Sequence, residues 1–106
     1  MRHRLSPGAE AQIRGIWNYT ADQWGEAQAD DYVKGLFLAF DALPANKPLW
    51  RIVPHESLRG AFFAKYQKHF IFFRELPSGR LGILAVLHEA QNIPRRLADI
   101  AGEDPI

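Results

Sequence analysis

SPGAEAQIRGIWNYTADQWGEAQADDYVKGLFLAFDALP, the run from Ser6 to Pro44, decides the architecture. Ser6 can accept from the free backbone N–H groups of a first helical turn, and Pro7 suits that turn because its missing donor costs nothing there. Glu10 complements the positive end of the helix dipole. Ala9, Ile13, Ile16, Trp17, Thr20 and Trp24 then recur at helical spacing and form one apolar stripe. Gly25 ends the stripe. A second begins at once with Ala29, Tyr32, Val33, Leu36, Phe37, Phe40 and Leu43, and Pro44 stops it by forcing its predecessor out of helical geometry. The pattern predicts two amphipathic helices folded back on each other at Gly25. Trp17, Trp24, Phe37 and Phe40 are assigned to the core, with Trp17 and Phe37 expected between the hairpin and whatever covers it.

What covers it lies on either side of this run. Arg2–Leu5, short and directly before a helix start, reads as a first strand. Ala45–Arg59, interrupted by Pro48 and Pro54, reads as irregular surface chain. Ala61–Tyr66 and His69–Arg74 are aromatic-rich strands joined at Gln67-Lys68, and Leu76-Pro77-Ser78-Gly79 is a turn leading to a third run, Arg80–His88. Strict alternation would set Leu81, Ile83, Ala85 and Leu87 on one face of that run and Leu84, Val86 and His88 on the other. Apolar residues on both faces mark a strand covered twice. A short helix is expected over Arg95–Ile100. The order β-α-α-β-β-β gives an α+β fold, a helical hairpin packed on a small, mainly antiparallel sheet. The 106 residues suffice for one domain, 1–106, with a core over about 3–97 and a tail over 98–106.

Composition narrows the chemistry. At 47% hydrophobic and 24% charged, the chain falls in the ordinary globular range. It has no cysteine, which excludes a thiolate nucleophile, a Cys-ligated metal and a disulfide framework. No apolar run reaches the roughly 18 residues of a membrane span, and no apolar stretch follows the basic N-terminus, so a cytoplasmic protein is expected. Charge is polarised: residues Glu10–Asp41 carry a net −4 and residues Arg51–Arg74 a net +4. Such an imbalance suits recognition of charged partners, although a solvated face looks the same in sequence.

The common cofactor and hydrolase signatures are missing, and His3, His55, His69 and His88 show no metal-ligand spacing, so neither a cofactor nor a metal is expected. Lys65, Lys68, His69, Arg74, Arg80 and His88 lie on or beside the three later strands. A sheet that gathered them could neutralise phosphate and supply acid–base groups for RNA cleavage. They equally suit the turns and edges of a hairpin, where Lys and Arg discourage edge-to-edge pairing. Arg95 and Arg96 beside Leu97 read either as a docking element, a basic pair with an apolar anchor, or as a solvated end.

Four stretches carry a family resemblance: Leu5-Ser6-Pro7-Gly8-Ala9-Glu10; Ile16-Trp17-Asn18-Tyr19-Thr20 leading to Trp24-Gly25-Glu26-Ala27-Gln28-Ala29; His69-Phe70-Ile71-Phe72-Phe73-Arg74; and Val86-Leu87-His88 continuing to Ile93-Pro94-Arg95-Arg96-Leu97. In this order and at these separations the chain resembles the ParE toxins of the RelE/ParE superfamily, the toxic halves of bacterial toxin–antitoxin pairs associated with plasmid stabilisation. The resemblance spans Leu5 to about Leu97. It implies a toxin that binds DNA gyrase and traps it on cleaved DNA without chemistry of its own, neutralised by a ParD-like antitoxin through which DNA is met only indirectly. For that activity it points to Arg95, Arg96 and Leu97. RelE-like relatives instead cut messenger RNA on the ribosome, and here His69, Arg74 and His88 would carry that role. His69 stands where RelE-like members commonly have arginine, and Glu89-Ala90 departs from the His-Gly-Arg usual in ParE members. A non-toxic, antitoxin-bound member is the third reading.

Overall fold

The computed structural model describes residues 3–102, so Arg2 of the expected first strand and residues 103–106 of the expected tail lie outside the described residues. His3–Leu5 forms β1, Pro7–Trp24 α1 and Glu26–Ala42 α2. Ser6 caps α1 as its sequence predicts: its hydroxyl oxygen accepts the Ala9 N–H at 3.0 Å. Gly25, at φ 95°, makes the joint between the helices in a conformation that a side chain would disfavour. After Ala42 the chain tightens into 3-10 turns over Leu43–Leu49. Ala61–Tyr66, His69–Glu75 and Leu81–His88 follow as three strands, and Ile93–Gly102 closes the described chain as helix α3.

The stretch expected to be irregular contributes more than turns. Arg51–Ile52 forms a two-residue strand on the outer edge of Ala61–Tyr66, and Val53 beside it is buried. We number the strands in chain order: β2 is Arg51–Ile52, β3 Ala61–Tyr66, β4 His69–Glu75 and β5 Leu81–His88. The sheet order is β1-β5-β4-β3-β2, antiparallel except for the parallel pair β1–β5. A parallel pair needs a long crossover, which the helical hairpin provides.

The sheet is covered on both faces, as the apolar β5 requires. The hairpin buries Ile13, Leu36 and Phe40 with Ile71, Phe73, Leu81, Ile83 and Val86. On the other face Val53, Phe72, Leu84, Ala85 and Leu87 pack with Leu97 and Ile100 of α3. Strict alternation along β5 fails. Phe72 pairs with Ala85 and Phe73 with Ile83, so Leu84 is an extra residue. This bulge shifts every later side chain to the other face, putting Val86 and His88 under the hairpin and Leu87 toward α3. Residues 98–102 continue α3, with Ile100 buried, so the folded unit extends beyond the boundary expected at Leu97.

Beyond β1, the flank of β5 is closed by side chains. The Ser6 hydroxyl donates to the Leu84 carbonyl at 2.9 Å, and Gln12 Oε1 and Gln91 Oε1 accept the Val86 and His88 N–H groups at 2.7 and 2.8 Å. Ser6 therefore both caps a helix and satisfies a buried carbonyl at the bulge. Ser6→Ala is expected to cost about 2 kcal/mol, read as a lower urea midpoint at unchanged slope. A loss below about 0.5 kcal/mol would show that water replaces the hydroxyl.

Trp17 and Trp24 depart from their assignment to the core. Trp24 is 63% exposed. Trp17 is half-buried, its indole N–H donating to Asp30 Oδ1 at 2.8 Å across the outside of the hairpin. Phe37 is half-buried against His3 and Phe40 rather than enclosed, whereas Phe40 is fully buried.

Candidate functional site

The six basic groups expected on the sheet do not form one site. His69 and His88 are cross-strand partners with ring centroids 5.1 Å apart, and Lys68 sits in the turn beside them. Arg74 lies five residues along β4 from His69, about 16 Å at the usual rise. It also shares its face with Phe70 and Phe72 on the α3 side, whereas His69 shares its face with Ile71 and Phe73 under the hairpin. Arg80 is at Arg74's end of the sheet, its guanidinium donating to the His3 carbonyl at 3.3 Å. Lys65 pairs with Glu89 at 2.9 Å and lies over the Phe70 ring. The set His69, Arg74 and His88, required by the RNA-cleaving reading, is thus split between two ends and two faces of the sheet.

His69 is itself committed to the fold. It is 9% exposed, and its Nδ1 lies 2.6 Å from the Tyr32 hydroxyl of α2. This contact ties α2 to the start of β4, and the Lys68 backbone acts on the same Tyr32 hydroxyl. Burial, reinforced by the neighbouring His88, pushes the His69 pKa down to about 4, and burial raises that of Tyr32. His88 is less enclosed. Its Nδ1 accepts the Ala90 N–H at 3.0 Å, which leaves Nε2–H as a donor in the neutral ring.

These histidines lie in a cleft of about 920 Å³ between α1 and the adjoining ends of β4 and β5. Gln12, Gly15, Ile16, Tyr19, Thr20 and Trp24 line it from α1, a second stripe on a helix whose first stripe faces the core. Tyr19 and Trp24 are 61% and 63% exposed and meet edge to face. Among the described residues no carboxylate belongs to the lining itself, but Glu89, next to His88, acts on Lys68, His69, His88 and Tyr32 from the edge of the cleft. Sequence reasoning missed Gln12, Gly15 and Gln91 entirely and counted Tyr32 only as an apolar stripe residue. A helix-interior glycine at position 15 was the one local signal available.

At the other end of the chain, Asn92 caps α3 by accepting the Arg95 N–H at 3.3 Å. Arg95 is exposed, and Arg96 reaches Asp99 at 3.8 Å. Leu97, expected as an exposed anchor beside them, is 5% exposed and packs under β5. It holds the helix to the sheet, leaving the two arginines as the outward-facing part of that motif.

Residues 4–93 match the family described as ParE toxin of type II toxin-antitoxin system, parDE. The chain belongs to the ParE toxin family. It is 33% identical over 96 residues to Toxin ParE1 of Mycobacterium tuberculosis, covering 91% of this chain and 97% of that one. Toxin ParE1 of Caulobacter vibrioides is 31% identical over 91 residues, covering 85% and 91%, and Toxin ParE of Escherichia coli 30% over 95 residues, covering 90% and 91%. The fold is also that of a chain in the solved chromosomal ParDE TA system from P. aeruginosa, at a TM-score of 0.65 and 17% identity over 83% of this chain and 95% of that one. The ParE family accounts for the helical hairpin, the small sheet and the type II toxin role, and a toxin of this type has an antitoxin partner. No helix among the described residues is long and apolar enough to cross a membrane.

Proposed function

We propose that this ParE-family chain, acting as one cytoplasmic domain, arrests growth by binding DNA gyrase and holding it on cleaved DNA, and that a ParD-like antitoxin neutralises it. The observation that favours binding over RNA cleavage is the separation of Arg74 from His69 and His88 across the length and the two faces of the sheet. General acid–base cleavage needs its groups within hydrogen-bond reach of one phosphodiester. Arg95 and Arg96 supply the docking charge, Leu97 supports them from beneath, and DNA is met only through the gyrase complex or the antitoxin.

Purified protein is expected to inhibit gyrase supercoiling and to accumulate cleaved DNA, with no ribosome-dependent transcript cleavage. Arg95→Ala with Arg96→Ala should raise the inhibitory concentration at least tenfold while leaving the melting temperature unchanged, since charges at the edge of an interface govern association more than folding. Transcript cleavage without any gyrase effect would replace this reading by the ribonuclease one.

A further inference from the structure

The sheet face away from the hairpin is covered unevenly. Leu97 and Ile100 of α3 close it over Phe72, Leu84 and Leu87, and α3 packs chiefly on β5. The outer strands of that face stay more open. Residues directly opposed in a sheet share a face, and the register sets Arg51 across from Phe63, Lys65 across from Phe70 and Arg74 across from Ala61. Ala61, Phe63 and Phe70 belong to the α3-side cluster, so Arg51, Lys65 and Arg74 stand on that side with them.

Phe63 and Phe70 are half-buried and meet edge to face at 5.8 Å. Buried Phe72 stacks on Phe63 at 5.7 Å, so the pair rests on a fixed base and keeps part of each ring open. Arg51 is exposed, with no ion pair or ring contact among the described residues. The Lys65 ammonium lies 5.6 Å over the Phe70 ring and is held by Glu89 at 2.9 Å. From Ala61, opposite Arg74, to Lys65 the face runs about 13 Å, at the usual rise along a strand. The segment Arg51–Arg74 carries a net +4. His69 and His88 line the cleft on the hairpin side, so neither supplies acid–base chemistry here.

We infer that this outer face binds one unpaired DNA strand without cutting it, with bases resting on Phe63 and Phe70 and phosphates meeting Arg51, Lys65 and Arg74. Open aromatic rings bordered by cations are what an unpaired strand needs, because every base has a flat apolar face and every linkage an anion. The rings alone would also suit a protein partner. The surplus of positive charge along β2, β3 and β4 favours the polyanion. This deepens the gyrase reading proposed above and rests on it for the source of the strand: DNA reached inside the enzyme complex is also touched by the toxin itself. Glu89 competes with phosphate for Lys65, so it restrains binding by the free chain.

The test is fluorescence anisotropy of the full chain with a labelled oligo(dT) of about twelve nucleotides, without gyrase. Kd should rise with a log–log salt slope of about 2, from about 0.7 for each of three phosphate contacts. Arg51→Glu, at an exposed side chain, should raise Kd at least fivefold and flatten that slope. Phe63→Leu keeps an apolar side chain and should raise Kd at least fivefold with the slope unchanged, the signature of lost stacking. Glu89→Gln should lower Kd. Lys34→Glu makes the same charge change on the exposed side of the hairpin and should leave Kd within twofold. Absence of oligo(dT) binding at about 50 mM salt would overturn the inference, and gyrase inhibition by the same sample would show that the gyrase reading survives it. Equal affinity for a duplex of the same length, or equal losses in Arg51→Glu and Lys34→Glu, would also overturn it, since charge alone would then explain the binding. Oligo(dT) binding with these variant effects, but no gyrase inhibition, would support the strand site and overturn the gyrase reading.

Discussion

Phe40→Ala is expected to lower the stability of this chain by about 3–5 kcal/mol, the range for removing a large aromatic side chain from a closed core. Phe40 is 1% exposed and lies in the cluster that joins α2 to Ile71, Phe73 and Ile83 of the sheet. Its ring also meets His3 edge to face at 5.2 Å, so its loss loosens β1 as well as the hairpin. A domain of this size has roughly 5–15 kcal/mol in total, and each kcal/mol is worth about 4–8 °C, so the melting temperature should fall by about 12–40 °C. Trp17→Ala is the comparison. Its half-buried indole bridges to Asp30 on the outside of the hairpin, and the expected loss is about 1–2 kcal/mol. Equal losses from the two substitutions in urea unfolding would show that the outer seam of the hairpin matters as much as the core.

The contrast between Phe40 and Trp17 also marks how far the sequence could be read. Helical spacing identified the stripes on α1 and α2, and Ser6, Gly25 and Pro44 bounded them close to the observed ends. Spacing alone could not tell which side of a stripe meets the sheet. On α1 the apolar residues spread over a broad arc. Ile13 points into the core, while Trp17 and Trp24 fall on the hairpin seam and in the cleft. Periodicity also assumes an unbroken strand. The Leu84 bulge carries neither glycine nor proline to announce it, and it reverses the faces of Val86 and His88. Similarly, β2 has only two residues between prolines, and Trp50, whose N–H donates to the Leu43 carbonyl and whose ring packs on Phe73, gave no sign of closing the core.

For the site, residue type was legible and neighbourhood was not. His69 and His88 stood out as strand histidines, and the register makes them direct partners. The hydroxyl that partners His69 comes from Tyr32, thirty-seven residues away, and only the packing of α2 over β4 brings them together. Arg74 and Arg80 belonged with the histidines by charge alone. Strand length separates them, at about 3.3 Å for each residue. The neutral, capping glutamines had no sequence signature at all, since their role depends on which backbone N–H groups the sheet leaves unpaired.

The packing of His69 predicts an acid-labile fold. Its pKa in the folded chain is about 4, against 6.5 when it is free, because burial and the neighbouring His88 disfavour its charge. As pH falls, the unfolded chain therefore takes up a proton on this residue before the folded chain does. Stability from this group is complete above about pH 6.5 and is lost progressively as the pH falls toward 4, a total of about 3 kcal/mol. Protonation also places a charge in the part-buried contact with the Tyr32 hydroxyl, so the packing of α2 on the β3–β4 turn should loosen first. His3, buried and likewise lowered, adds loss in the same direction, so the wild-type curve alone cannot assign the effect. His69→Gln keeps a polar partner for Tyr32 and cannot titrate. Urea unfolding from pH 7.5 to pH 4 should show the wild type losing about 3 kcal/mol more than this variant, and imidazole NMR shifts should place the His69 midpoint near pH 4. A His69 midpoint above pH 6, or parallel stability curves for the two chains, would mean that solvent reaches the ring and that the Tyr32–His69 contact does not hold the hairpin to the sheet.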